Sequence, residues 1–281
     1  MFKKLILGII FAVFALTTQA ETYKIYLSNQ AGTGPDIFAR KLAEEAEKLS
    51  NHKFIILNRP GGEFITGYRE FISNNSGKAL FQSLLTTHVI PYVQDNNLNI
   101  DPLKDSKPVI MGIKLNYLLV VPKNSSIKSV ADIKGKINIG YSGNLAPLLL
   151  ATLNLDKDVQ LVPFKSDTES YIPLINNDIQ VGQYIHISVP KTHSEELRVI
   201  GDFNKVLSGF IGIHASKDIS DEEVLELNKL FNKVLDSKEF KELVKQTFNT
   251  TVIGGSPEKF KNDLDFYRTQ LERIKRNVPV H

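Results

Sequence analysis

The sequence contains no cysteine. That excludes disulfide scaffolds, thiolate zinc sites, iron–sulfur ligation and cysteine nucleophiles. A large charge excess is missing too: 34 Lys and Arg stand against 31 Asp and Glu, a formal charge of +3. Two of those cations, Lys3 and Lys4, fall in a segment expected to be removed, which leaves the rest nearly neutral. A chain so balanced has no phosphate-binding face, so no nucleic-acid partner is expected. No apolar run reaches the roughly 20 residues that a membrane span requires. There is no repeat at a fixed period and no low-complexity segment. The histidines (His52, His88, His186, His193, His214 and His281) show no H-x-x-x-H and no metal spacing with acids. Neither a metal nor a cofactor is expected.

What is present suits a globular chain. Of the 281 residues, 42% belong to the AVILMFWYC class and 23% are charged, enough to bury a core. The length fits two domains or one large one. The first residues form a distinct block. Met1-Phe2-Lys3-Lys4 is a short positive start, Leu5 to Leu16 is uninterrupted apolar sequence, and Thr18 and Ala20 are small residues at its exit. Charge, apolar stretch and small-residue exit read as a secretory signal over residues 1–20. The expected mature start is Glu21, and the expected location is the periplasm, in soluble form.

Beyond the signal, strand and helix patterns alternate. Tyr23–Ser28 has strand composition, and Phe38, Leu42, Ala46 and Leu49 recur at helical spacing over Asp36–Ser50. Thr33, three residues before Asp36, resembles the start of a capping box. Phe54–Leu57, Ala79–Leu85, Tyr117–Val121, Ile137–Tyr141, Val159–Val162, Ile179–Tyr184, Leu197–Ile200 and Phe210–Ile213 read as further strands. Helices are expected at Gly67–Asn74, Leu145–Leu153 and Thr168–Asn176. The regular alternation predicts parallel sheet covered on both faces. In the tail, Val224, Leu227, Phe231 and Val234 form one helical stripe. Phe260, Leu264, Tyr267, Leu271 and Ile274 form another. The pattern divides into residues 22–115 with 209–281 as one lobe and 116–208 as a second, inserted lobe. The crossings fall at Lys114-Leu115-Asn116 and Ser208-Gly209-Phe210.

The chemistry points to loops, not to a catalytic set. Gly32-Thr33-Gly34-Pro35-Asp36 lies between a strand and a helix, where glycines admit close approach and the first helical N–H groups lack internal partners. With the helix dipole, this is an anion-binding arrangement. A dinucleotide fingerprint fails, because Ile37 occupies its third glycine position. Gly140-Tyr141-Ser142-Gly143-Asn144 sits at an equivalent place. It is not a nucleophile elbow, since Asn144 stands where glycine is required. Thr87 and His88 follow a strand end, at the edge where open α/β sheets bind ligands.

The ordered motifs resemble those of the TctC or Bug family, the extracytoplasmic solute receptors of tripartite tricarboxylate transporters. Ala31–Arg40 is similar to the family's P-G-G-x-T-D-x-x-A-R, and Asn58–Gly67 to N-R-P-G-A-G-G-x-x-G. Asp101–Val109 resembles D-P-L-K-D-x-x-P-V, and Tyr117–Pro122 resembles Y-V-L-V-V-P. Ser142-Gly143-Asn144 is similar to S-G-N, Val162–Ser166 to V-P-Y-K-G, and Ser256–Phe260 to S-P-E-x-F. The resemblance spans the chain after the signal. It implies an α/β, type II periplasmic-binding-protein fold, two lobes joined by a hinge, with a small carboxylate held between two loops. Carried onto this sequence, the binding residues are Asn29, Gln30, Gly32, Thr33, Gly34 and Asp36 in the first loop. Ser142, Gly143, Asn144 and Ala146 form the second. Thr87, His88 and Lys165 are further candidate binding residues outside the two loops carried over. There are departures. Pro35 replaces the loop threonine, Thr33 the second glycine, Asn29 an aromatic, and Glu63 and Phe64 two glycines. The second loop is shorter, and the P-T-x-x-E segment after the late strand near Leu197 is largely missing.

The expected function is a non-enzymatic, monomeric receptor that captures a small organic anion and delivers it to the permease subunits of a tripartite transporter. The alternatives are a secreted hydrolase using Ser142 and a sensory receptor for a membrane kinase.

Overall fold

The fold is seen in a computed structural model, which describes residues 20–62, 65–74, 77–89, 101–188 and 195–277. Nearly all of the expected signal segment, Glu63, Phe64, His193 and His281 lie outside the described residues.

The apolar segments pair into two five-stranded sheets. The first contains β1 (Thr22–Leu27), β2 (Lys53–Asn58), β3 (Ala79–Leu84), β4 (Ser106–Leu115) and β10 (Gly209–Ser216), in the order β2-β1-β3-β10-β4. The second contains β5 (Tyr117–Pro122), β6 (Asn138–Ser142), β7 (Gln160–Phe164), β8 (Val181–Ile185) and β9 (Leu197–Asp202), in the order β7-β6-β8-β5-β9. Inner strands are covered on both faces: every residue of β3 and β10 is buried, the polar Gln82, Ser83, His214 and Ser216 included.

The two sheets share one plan. In each, three strands run parallel. β1 pairs with β2 from Thr22↔Lys53 to Leu27↔Asn58 and with β3 from Lys24↔Ala79 to Tyr26↔Phe81. β6 pairs with β7 from Asn138↔Gln160 to Ser142↔Phe164 and with β8 from Ile139↔Val181 to Tyr141↔Gln183. The fully parallel sheet expected from the alternation is not what forms. β10 runs antiparallel to β3 and β4, and β5 antiparallel to β8 and β9. The cause is the chain path. Asn116 alone separates β4 from β5, so the chain leaves the first sheet at the end of β4 and enters the second at β5 with no helix between; β5 and β10 are the crossing strands, each entering its sheet from the other. The chain passes directly from one sheet to the other, and returns between β9 and β10.

The helices are α1 (Gly34–Lys48), α2 (Ile65–Ile72), α3 (Pro102–Asp105), α4 (Ala146–Ala151), α5 (Asp167–Ile175), α6 (Asp221–Asp236), α7 (Lys238–Phe248) and α8 (Pro257–Asn277). The stripes read from the sequence are the buried faces. Phe38, Leu42 and Ala46 of α1 share a core with Val224, Leu227, Phe231 and Val234 of α6. Phe260, Leu264 and Leu271 of α8 share another with Leu119 and Ile139 of the second sheet and Phe210 of the first. Helix α8 therefore ties the two sheets together. Burying each such Phe or Leu contributes about 1.5–3 kcal/mol. Ser220 caps α6 by accepting from the Glu223 N–H at 3.1 Å, and Asp221, Glu222 and Glu223 favour its dipole.

Candidate functional site

The first loop leaves β1 at Leu27 and enters α1 at Gly34. Asp36, 2% exposed, organises it. One carboxylate oxygen accepts from the Gly32 N–H at 2.8 Å and from Arg40 Nε at 3.0 Å. The other accepts from Asn58 Nδ2 at 2.9 Å, and the same amide donates to the Asn29 carbonyl at 3.0 Å. Burial works to raise the Asp36 pKa, but the bonds from Arg40, Gly32 and Asn58 outweigh it and hold the carboxyl below the usual range. Gly32 adopts φ +82°, the left-handed turn that brings its N–H onto Asp36.

The capping box expected at Thr33 does not form. Thr33 is the N-cap residue of α1, yet its hydroxyl makes no cap bond and donates to the Gln30 carbonyl at 2.7 Å. Asp36 reaches Gly32, one residue before the cap, because the left-handed turn presents that N–H instead. Pro35 occupies the first turn of α1, where a missing N–H costs nothing. Its carbonyl accepts from the buried Gln82 of β3 at 2.8 Å. The N–H groups of Gly34 and Asp36 have no intrahelical acceptor. Asn29 Oδ1 is buried and without a hydrogen-bond partner.

The second loop follows β6. Ser142 ends the strand, Gly143 turns at φ +76°, and Ala146 opens α4. The Ser142 hydroxyl donates to the carboxylate of Asp167, a residue 8% exposed at the start of α5. The other oxygen of Asp167 accepts from the Ile185 N–H at 3.0 Å, at the end of β8. Asp167 thus fastens together the carboxyl ends of β6 and β8 and the start of α5. Deeper in, Ser170 donates to Tyr184 Oη at 3.1 Å. Burial first, and then the charge of Asp167, push the Tyr184 hydroxyl up to about 12, against the Ser170 bond.

The loops approach each other through the end of β8 and the turn His186–Ser188 that follows it. A methyl group placed on Gly34 would lie 2.9 Å from Ile187 Cδ1 and 3.3 Å from the Ile187 carbonyl. Glycine is what allows this approach. Ile185 and Ile187 pack against the core of the first sheet. The path Gly34–Ile187–Ile185–Asp167–Ser142 therefore connects the first loop to the second across the carboxyl ends of the strands, where open α/β sheets bind ligands.

The remaining sequence-derived residues follow the ends of β3 and β7, Lys165 directly after Phe164, the register partner of Ser142. Thr87 is buried, with its hydroxyl accepting from the Leu84 N–H at 2.9 Å, closing the end of β3. His88, 1% exposed, lies inside the first sheet's half, its ring centroid 3.9 Å from that of His214 and 5.3 Å from that of Tyr68. Lys165 is exposed at the end of β7, and its backbone N–H is taken by Glu169 at 2.8 Å. Sequence reasoning missed Asp167, Asn58 and Ile187. The strand–Ser166–Asp167–helix pattern was a signal for Asp167. Nothing local marked Ile187, whose role comes from packing.

No protein-family model matches the chain. The sequence is 24% identical over 250 residues to a UPF0065 protein of Cupriavidus necator, covering 78% of this chain and 76% of that protein. The structure superimposes on a TctC solute-binding protein from Polaromonas with a TM-score of 0.71 and 16% identity, over 92% of this chain and 99% of the other. The fold is that of the TctC and Bug-type solute-binding proteins. MatC of Rhodopseudomonas palustris, solved with bound malate, shares this TctC-type fold at a TM-score of 0.77 and 17% identity, over 90% of this chain and 98% of MatC. A second R. palustris protein, solved with adipate, gives 0.77 and 17%, over 91% of this chain and 96% of its own. All share the two-lobe architecture. Among the described residues, no helix is long and apolar enough to cross a membrane, and no His, Asp and Glu cluster could hold a metal ion.

Proposed function

We propose that this protein is a periplasmic solute receptor that binds a small organic anion, a carboxylate, between its two loops. The observation that supports the reading is the close approach of Gly34 to Ile187, two residues past the end of β8, where the Ile185 N–H bonds to the Asp167 that holds Ser142. The start of α1 supplies unpaired N–H groups and the positive end of a helix dipole. Malate and adipate in the solved neighbours support a carboxylate as the ligand class. On this reading the lobes are residues 22–115 with 209–281, and residues 116–208. They move about the crossings near Asn116 and Gly209, and the closed form is presented to membrane permease subunits. Residues 1–20 act as the export signal, and the receptor works as a monomer.

Magnitudes agree. A micromolar site needs about −8 kcal/mol, and charge-assisted hydrogen bonds contribute ~1.5–3 kcal/mol each. Four or five of them suffice after ordering costs. The binding role also suits Ser142: its hydroxyl is held by an aspartate and, among the described residues, by no histidine that would act as a base.

A thermal-shift screen against carboxylates, amino acids and neutral sugars tests the reading. A ligand at 100 times its dissociation constant adds ~2.7 kcal/mol of stability. The expected result is stabilisation by compounds that carry a carboxylate, amino acids among them, and none by neutral sugars. Stabilisation by sugars alone, or labelling of Ser142 by a fluorophosphonate, would replace the reading.

A further inference from the structure

Asn116, the one residue between β4 and β5, is where the chain leaves the first sheet for the second. His186, the first residue after β8, holds it from both sides. The His186 N–H donates to the Asn116 carbonyl at 2.9 Å, and the Asn116 N–H donates back to His186 Nδ1 at 2.9 Å. The pair extends the β5–β8 ladder one step past Tyr117↔Ile185, with the ring nitrogen in place of a backbone carbonyl. The turn that His186 opens also touches the first sheet's half twice. Ile187 meets Gly34 at the start of α1, and His186 Nε2 is buried against the backbone of Phe248, the last residue of α7. The ring therefore stands between the two halves of the molecule at the point where the chain joins them.

An imidazole nitrogen accepts a hydrogen bond only while it carries no proton. Neutral, with its proton on Nε2, His186 closes the pair with Asn116. With a second proton, Nδ1 becomes a donor and meets the Asn116 N–H, donor against donor. The bond is lost, and a charge is left beside Ile185 and Ile187 without a partner. The ring must then turn toward water and carry the turn with it. His214 is wholly buried, but His186 is only partly so and can take up a proton while the fold stays closed. We infer that His186 is a latch on the hinge: neutral, it ties the end of β8 to the crossing residue, and protonation breaks the tie and frees the lobes to change their relative position. The inference rests on the reading above in which the lobes move about Asn116. The surrounding elements bring other titratable groups to this end: Asp36 of α1, Lys245 in the last turn of α7, Lys114 and Tyr117 beside the crossing, and Asp167 on the Ile185 N–H. None of these shifts the ring's titration, which burial lowers. The latch is therefore closed at neutral pH and opens below the ordinary imidazole value of ~6.5.

The test measures the distance between the lobes by pulsed electron paramagnetic resonance. The chain has no cysteine, so nitroxide labels attach only at Lys48→Cys in α1 and Lys157→Cys between α4 and β7, both exposed positions. With His186 intact, the labelled protein is expected to give one narrow distance distribution at pH ~7.5 and a broader or displaced one at pH ~5. The midpoint should lie below ~6.5 and coincide with that of the His186 ring signals in nuclear magnetic resonance. His186→Asn sets an amide oxygen where Nδ1 stood, so the Asn116 N–H keeps an acceptor that cannot titrate. Its distribution is expected to stay narrow at both pH values. His186→Ala leaves that N–H without an acceptor, and its distribution is expected to be broad at both. With His186 intact, a distribution that is the same at both pH values overturns the latch, whether or not the variants fold. If added malate still changes that distribution, the receptor reading stands without the latch. A midpoint unlike that of the His186 ring, or a His186→Asn distribution that changes with pH as that of the parent does, also overturns the latch and assigns the switch to another group.

Discussion

Ser142 and Asp167 are joined across two strand ends, with the serine hydroxyl donating to a carboxylate that also receives the Ile185 N–H. The contact fixes the second loop from beneath. Asp167→Ala leaves both donors without this acceptor in a nearly buried place, at a cost of about 1–3 kcal/mol. Urea unfolding is expected to show a lower midpoint with unchanged slope. An unchanged midpoint would mean that the bond contributes nothing to the fold.

Asp36 does the same for the first loop, with a pH signature. Its folded pKa lies below that of an unfolded aspartate, near ~3.9. The stability it contributes is therefore present above that value and lost as pH falls through the lower, folded pKa. Asp36→Asn is expected to lower stability by about 1–2 kcal/mol at pH ~7. The gap to wild type should narrow in strong acid, where the wild-type carboxyl is protonated too. Urea titrations at both pH values check this, and a gap independent of pH would contradict it.

Thr33→Ala separates loop from helix. The hydroxyl bonds to Gln30 and caps nothing, so helix content by far-ultraviolet circular dichroism should not change. The expected loss is about 0.5–1.5 kcal/mol, one neutral hydrogen bond. Hydrogen exchange should quicken in the loop and not along α1. Faster exchange throughout the first turns of α1 would restore the capping role expected from the sequence.

His214 predicts acid sensitivity in the core. Burial first, and then the neighbouring His88, hold its pKa well below the ordinary imidazole value. His186, with Nδ1 accepting from the Asn116 N–H at 2.9 Å, is lowered by burial as well. Unfolded, both titrate near ~6.5. The unfolded chain therefore binds more protons just below that pH, and stability falls as pH drops from 7 toward 5. Melting temperatures across this range should decline for the wild type and less steeply for His214→Asn. Equal slopes would show that the ring is not neutral in the fold.

The fold was legible where periodicity is long. Phe38, Leu42 and Ala46, or Phe260, Leu264 and Leu271, declare one face of a helix, and burial on that face follows from the hydrophobic effect. The direction of β5 and β10 was not legible, because it depends on which strands the chain joins when it crosses between the sheets, a long-range choice that local composition does not record. The first loop was legible as a place and not as a bonding pattern. Gly32 and Asp36 stood out, but the left-handed turn that joins them displaced the capping box drawn from Thr33. The Ser142–Asp167 bond could not be read, since the register of β6 against β7 decides which residue a distant serine meets. For His88 the strand-end position was legible, and the packing of its ring against Tyr68 and His214 was not, because both partners are distant in sequence.

The central claim is that two loops, one on each sheet, form a single site for a carboxylate. It is tested most directly by titrating the isotope-labelled protein with the carboxylate that stabilises it and following backbone amide signals. The account predicts that the N–H signals of Gly32, Gly34 and Asp36 and those of Gly143 and Asn144 move together, along one binding curve with one dissociation constant. Movement of only one group, or of neither while amides elsewhere respond, would contradict it.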